Sequence, residues 1–185
     1  MKVITGSARG KRLVTPEGLD TRPTTDRVKE SVFNIVQFHV PGARVLDLFA
    51  GSGQMGIEAL SRGAVFCVFA DKDKQAQKAI GTNLKNTGFA GQSRVFAGDS
   101  FAALESLRDE KFDLIFLDPP YGGQMLNAAL KKICLFDNLR SGGIIICESA
   151  QKDEIEPLEA PYCVKKEYHY GKIKLTAITR EDGLA

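Results

Sequence analysis

The sequence predicts a doubly wound α/β fold: a mostly parallel sheet covered on both faces, ending in a C-terminal antiparallel hairpin and preceded by a small N-terminal extension. Three observations carry that prediction. From Arg44 onward, apolar runs of strand length alternate with segments of helical pattern. Strands that are apolar throughout are those buried on both faces of a parallel sheet. Near the end the rhythm breaks, because "YCVKKEYHY" and "KIKLTAIT" are separated by little more than Gly171, a spacing that suits an antiparallel hairpin. Finally, 185 residues suffice for one domain with a sizeable core.

Residues 1–43 form the extension, with a small hairpin from "KVITG" and "KRLVT" and a helix within "TTDRVKESVFNIVQF". In that helix Val28, Val32, Ile35 and Val36 share one face, Thr24 or Thr25 is the expected N-cap, and Pro41-Gly42 the expected stop. The domain proper, residues 44–185, opens with a strand over 44–49, a Gly-rich turn and a helix through "QMGIEALSR". Further strands are expected over 64–70, 94–98, 112–118 and 142–149, with helices over 73–87, "SFAALESL" and "LNAALKKIC" between them. There is no internal repeat, low-complexity tract or linker.

Composition excludes several classes. The longest apolar runs are of strand length, and "MKVITGSARGKR" has no apolar signal core, so a cytoplasmic protein without a membrane span is expected. Cys67, Cys134, Cys147 and Cys163 are widely spaced among apolar neighbours and read as reduced thiols. His39 and His169 lack ligand-spaced partners, so neither zinc nor imidazole chemistry is expected. The net charge is only +2, but Lys2, Arg9, Lys11 and Arg12 crowd the first twelve residues without an acid, and Arg22, Arg27 and Lys29 come soon after. Such a basic end suits a polyanion such as nucleic acid, or is a solvated surface.

"DLFAGSGQMG" places G-x-G-x-x-G at Gly51, Gly53 and Gly56 between a strand and a helix, and Asp71 ends the next strand. Taken literally this is a dinucleotide fingerprint and suggests a nicotinamide- or flavin-dependent oxidoreductase. Asp47, just ahead of the loop, is awkward beside a pyrophosphate but suits a cationic ligand. With Asp99 and Asp118, carboxylates stand near the C-terminal ends of strands one to four, where open α/β sheets bind ligands. S-adenosylmethionine offers what such a crevice can read: an ammonium, a sulfonium, a ribose diol and an adenine amine. Asp71 could take the diol and Asp99 the adenine, with Gly51, Ser52 and Gly53 passing beneath the methionyl part and Asp47 and Asp118 bordering the same cofactor.

"FDLIFLDPPYGG" runs an apolar strand into a carboxylate, two prolines, an aromatic ring and two glycines. The amine of a nucleobase is a poor nucleophile because its lone pair is delocalised into the ring. Two acceptors on its hydrogens, the Asp118 carboxylate and the Pro119 carbonyl, favour a pyramidal nitrogen that can face a methyl donor. Pro119 and Pro120 fix φ and remove competing N–H groups, and Tyr121 offers a face for a flipped base. Catalysis is then mainly alignment, with no metal required.

These motifs resemble the RsmD-like family of 16S rRNA (guanine-N2)-methyltransferases. The likeness runs over nearly the whole chain, through "ITGSARGKRL", "LDTRPTTDRVKESVFN", "DLFAGSGQMGIEALSRGA" and "FDLIFLDPPY". It implies a class I, Rossmann-like methyltransferase fold with a seven-stranded sheet, S-adenosylmethionine as donor, and a guanine of small-subunit ribosomal RNA in an assembling subunit as acceptor. It assigns Gly51 and Gly53 to the cofactor loop, Asp71 to the ribose, Asp99 to the adenine, and Asp118 to Tyr121 to the target base. The family usually carries Glu where this chain has Asp71. Arg9, Lys11, Arg12, Arg22 and Arg27 are the expected RNA contacts, with Arg22 and Arg27, which flank "PTTD", alternatively ordering the extension over the pocket, and a monomer is expected. Other amine methyltransferases, of DNA adenine N6 or protein glutamine, share the acceptor-plus-aromatic pocket, and a non-catalytic RNA-binding assembly factor is a further alternative.

Overall fold

A computed structural model describes residues 1–16, 26–120 and 122–181. Helix α1 spans Asp26–Ile35, and then strands and helices alternate: β1 (Arg44–Leu48), α2 (Gln54–Ser61), β2 (Phe66–Asp71), α3 (Lys74–Thr87), β3 (Ser93–Ala97), α4 (Ser100–Ser106), β4 (Phe112–Leu117), α5 (Gln124–Phe136) and β5 (Leu139–Ala150). The hairpin of β6 (Tyr162–Tyr170) and β7 (Ile173–Arg180) completes a seven-stranded sheet of order β3-β2-β1-β4-β5-β7-β6. Strands β1 to β5 pair in parallel, and β7 lies antiparallel between β5 and β6. This is the doubly wound sheet and terminal hairpin expected from the sequence.

Alternation along each strand divides the core in two. Val45, Phe69, Leu114 and Phe116 pack with Phe33 of α1, Ile57 of α2 and Ile80 of α3. Leu46, Val68, Ile115 and Ile145 point the other way, against Leu104 of α4 and Leu130 and Ile133 of α5. The chain adds β2 and β3 on one side of β1, then crosses to place β4 on the other. That reversal opens a crevice at the C-terminal ends of β1 and β4.

The extension departs from expectation in two places. Its hairpin is reduced to one bridge, Lys2 with Arg12, because residues 4–8 spend their backbone donors on α2. The Ile4 and Thr5 N–H groups donate to the Glu58 carboxylate at 2.8 and 2.9 Å, Ser7 N–H donates to the Ser61 carbonyl, and Ala8 N–H to the Ser61 hydroxyl. Gly6, at φ 89°, lies so close to Ser61 that a Cβ would stand 1.7 Å from its carbonyl oxygen. Helix α1 ends at Ile35, well before Pro41: His39 N–H turns back to the Val36 carbonyl, and Gly42, at φ 76°, donates to Gly63 beyond α2. The expected caps Thr24 and Thr25 lie outside the described residues.

One buried ionic cluster ties these parts together. Glu58 is fully buried, accepts from Arg62 Nε at 2.9 Å, and faces Lys29 Nζ of α1 at 3.6 Å. Lys29, also fully buried, donates to the Lys2 carbonyl at 2.7 Å, and burial pulls its ammonium below the usual lysine range despite Glu58. A buried pair survives only when each charge finds donors or acceptors in place of water. Glu58→Ala removes the acceptor shared by four groups and leaves the buried Lys29 ammonium with only the Lys2 carbonyl and the more distant Asp26, so a loss of about 3–5 kcal/mol in unfolding free energy is expected from urea denaturation. A loss below about 1 kcal/mol would show that apolar contacts alone hold the extension.

Candidate active site

Register brings the sequence-predicted residues to one edge. Leu48 pairs with Ala70 on one side and Leu117 on the other, so Phe49, Asp71 and Asp118 come next, side by side. Asp71 in turn pairs with Ala97, which leaves Asp99 one strand farther out.

Between β1 and α2 the backbone curls tightly, with Phe49 at φ 70°, Gly51 at 55° and Gly53 at 76°. Two carboxylates suspend this loop. Asp71 Oδ2 accepts from Gly51 N–H at 2.8 Å, while its Oδ1 accepts from Asp73 N–H at 2.9 Å. From below, Asp47 Oδ2 accepts from Gly56 N–H at 2.9 Å. Gly56 packs so closely on β2 that a Cβ would lie 2.3 Å from the Phe69 ring. At Gly51, by contrast, a Cβ would meet nothing within 4 Å, so the loop presents open backbone to the crevice. The strained Phe49 was not legible in the sequence, since a non-glycine residue at positive φ leaves no compositional mark.

The remaining residues fall into three groups. Asp118 is exposed at the end of β4, with Pro119 buried and Pro120 exposed behind it. The turn beyond has Gly122 at φ 123° and Gly123 at 72°, and Gly122 N–H donates to Asp153, a support that sequence reasoning missed. Tyr121 and Arg22 lie outside the described residues. Asp99 is the N-cap of α4, its Oδ1 accepting from Phe101 and Ala102 N–H groups. Arg9, Lys11 and Arg12 are exposed on the extension, away from the crevice: Lys11 Nζ donates to the Asn86 carbonyl near the C-terminal end of α3. The fourteen residues of α3 separate that point from Asp71 by about 20 Å. Arg27 is exposed on α1. Among the described residues no group of His, Cys, Asp and Glu could hold a metal ion, and no helix is long and apolar enough to cross a membrane.

Asp47 lies fully buried beneath the loop, and its carboxyl is strongly perturbed. Burial first, then the charges of Asp118 and Asp71, push its carboxyl up to about 7, against the Gly56 N–H that favours ionisation. The folded value lies above the ordinary 3.8, so the folded chain keeps a proton that the unfolded chain has lost. Stability therefore falls as pH rises from 3.8 to about 7 and levels off above. Asp47→Asn keeps an acceptor for Gly56 but cannot ionise. Its melting temperature relative to the parent should climb between about pH 5 and 7, then stay level. A constant difference over that range would mean that Asp47 is ionised throughout.

Residues 1–179 match the family model described as conserved hypothetical protein 95. YlbH of Bacillus subtilis is 41% identical over 92% of this chain and 94% of its own. The Escherichia coli protein named ribosomal RNA small subunit methyltransferase D is 31% identical over 98% of this chain and 90% of its own. The solved structure of yhhF from Escherichia coli superposes with a TM-score of 0.86, at 32% identity and covering 98% of both chains. The fold is that of the class I methyltransferases, and the chain belongs to the conserved hypothetical protein 95 family, that of the RsmD-like ribosomal RNA methyltransferases.

Proposed function

We propose that this chain transfers a methyl group from S-adenosylmethionine to the exocyclic N2 amine of a guanine in small-subunit (16S) ribosomal RNA, within an assembling subunit. The observation that carries this reading is the position of Asp118-Pro119-Pro120 at the end of β4, directly beside the loop that succeeds β1. Membership of a family whose Escherichia coli relative is named for small-subunit rRNA methylation supplies the substrate class.

The crevice suits the donor. Its loop offers open backbone at Gly51, and three carboxylates, Asp47, Asp71 and Asp118, stand at or below its floor. S-adenosylmethionine supplies an electrophilic methyl on a sulfonium. Asp71, both of whose oxygens are already oriented by backbone donors, has lone pairs left for the ribose diol. Ser52 and Gly53 continue the loop beneath the methionyl part, and Asp99 reaches the adenine from the next strand. Asp118 and the Pro119 carbonyl accept the two amine hydrogens, and Asp118 is placed to take the proton that the amine sheds. Tyr121 stacks on the base, while Pro120 holds the turn. Residues 1–43, with Arg9, Lys11, Arg12, Arg22 and Arg27, grip RNA phosphates away from the reacting atoms, and residues 44–185 hold the cofactor.

Two measurements test this. Asp118→Ala should lower methyl transfer to unmodified small subunits at least ~100-fold, while S-adenosylhomocysteine still raises the melting temperature. In the parent, label from the donor should be recovered as N2-methylguanosine; label on adenine or protein would reassign the substrate, and full activity in the variant would end the role of Asp118. Replacing Arg9, Lys11 and Arg12 together by Ala should weaken RNA binding and reduce the slope of log affinity against log salt by about 2–3, with cofactor affinity intact. An unchanged slope removes these residues from the RNA interface.

A further inference from the structure

Asn83 of α3 is fully buried and joins two parts of the chain that the sheet does not connect. Its Oδ1 accepts from Val14 N–H at 2.7 Å, and its Nδ2 donates to the Val14 carbonyl at 2.9 Å, holding the extension as a strand partner would. The same Nδ2 donates to the carbonyl of Ser52 at 2.9 Å, between Gly51 and Gly53. Both amide hydrogens and one face of the oxygen are thereby used. A second contact runs in parallel: the Ser52 hydroxyl donates to Met1 Sδ at 3.3 Å.

We propose that Asn83 is a positioning residue that couples the cofactor loop to the N-terminal extension, so that cofactor and RNA strengthen each other's binding. The inference rests on the reading that the crevice takes S-adenosylmethionine and that the extension takes RNA. The loop holds Phe49, Gly51 and Gly53 at positive φ, a conformation that is costly at Phe49. A ligand that freezes the loop fixes the Ser52 carbonyl, which orients the carboxamide, which in turn fixes Val14 just ahead of the segment leading to α1. Linkage makes the effect reciprocal: whatever fixes Val14 also favours the ligand-ready loop.

The test does not depend on RNA. Hydrogen exchange of the backbone amides in residues 1–16 is followed with and without S-adenosylhomocysteine, alongside its affinity by calorimetry. In the parent, the ligand should slow exchange there about tenfold. Asn83→Ala should abolish this protection and weaken ligand binding by a similar factor. Asn138→Ala is the control: it too deletes a fully buried carboxamide that donates to two carbonyls, Leu107 and Glu110, but at the other end of the sheet. It should keep the ligand-dependent protection at an equal cost in melting temperature. Val14→Pro removes the N–H that donates to Asn83 Oδ1 and leaves the carboxamide in place, at an exposed side chain outside the crevice, and should also weaken the ligand. Protection that survives Asn83→Ala, or Val14→Pro with parental affinity, overturns the coupling. A ligand that binds the parent without protecting residues 1–16 overturns the coupling and leaves the cofactor reading standing. Failure of the ligand to bind the parent overturns both.

Discussion

The structure depends on one fully buried acidic side chain. Glu58 sits on α2 where a globular core would ordinarily have a leucine; it accepts from two backbone N–H groups of the extension and a guanidinium, and an ammonium faces it at 3.6 Å. The guanidinium of Arg62 also lies over the Phe33 ring of α1, 4.5 Å from its centre. One side chain thus fixes the extension, α1 and α2 relative to each other. An apolar residue in its place would leave the part-buried N–H groups of Ile4 and Thr5 without the acceptor that holds them to α2.

Fixing α2 in turn sets the shape of the loop at its start. Gly56 can approach Phe69 only because the helix is held against β2, and at that distance the Asp47 carboxylate can reach its N–H. Asp71 then takes Gly51 from the side. The loop is suspended between two strands through side chains rather than through the sheet ladder. Its open face comes from that suspension.

The sheet, the loop and the placement of Asp118-Pro119-Pro120 at the end of β4 are legible in the sequence because each rests on a local pattern. Apolar runs, glycine spacing and a proline pair survive being read one residue at a time. Glu58 and Asn83 are invisible there for the opposite reason. Each lies on a helix, in "QMGIEALS" and "GTNLKNT", where a Glu or Asn ordinarily faces solvent, and the backbone groups of the extension that each one binds are more than fifty residues away in the chain. The extension hairpin misleads on the same ground. "KVITG" has the composition of a strand, but its donors find a carboxylate and a hydroxyl on α2 in place of a full partner strand. At Asp99 the strand-end pattern and the cap coincide, one oxygen capping α4 through Phe101 and Ala102.

Charge also separates the two cofactor classes that a glycine loop can serve. Asp47 lies beneath the loop, Asp71 beside it and Asp118 across from it, and burial, with the repulsion among them, holds the Asp47 carboxyl well above the ordinary carboxylate range. A pyrophosphate would bring two more negative charges to the same few ångströms, with no Lys or Arg between Asp47 and Gly56 to offset them. A sulfonium and an ammonium do the reverse: they relieve the repulsion, and each step toward ionising Asp47 strengthens its hold on Gly56. The fingerprint of glycines is common to both classes, but the carboxylates around it favour only the cationic one.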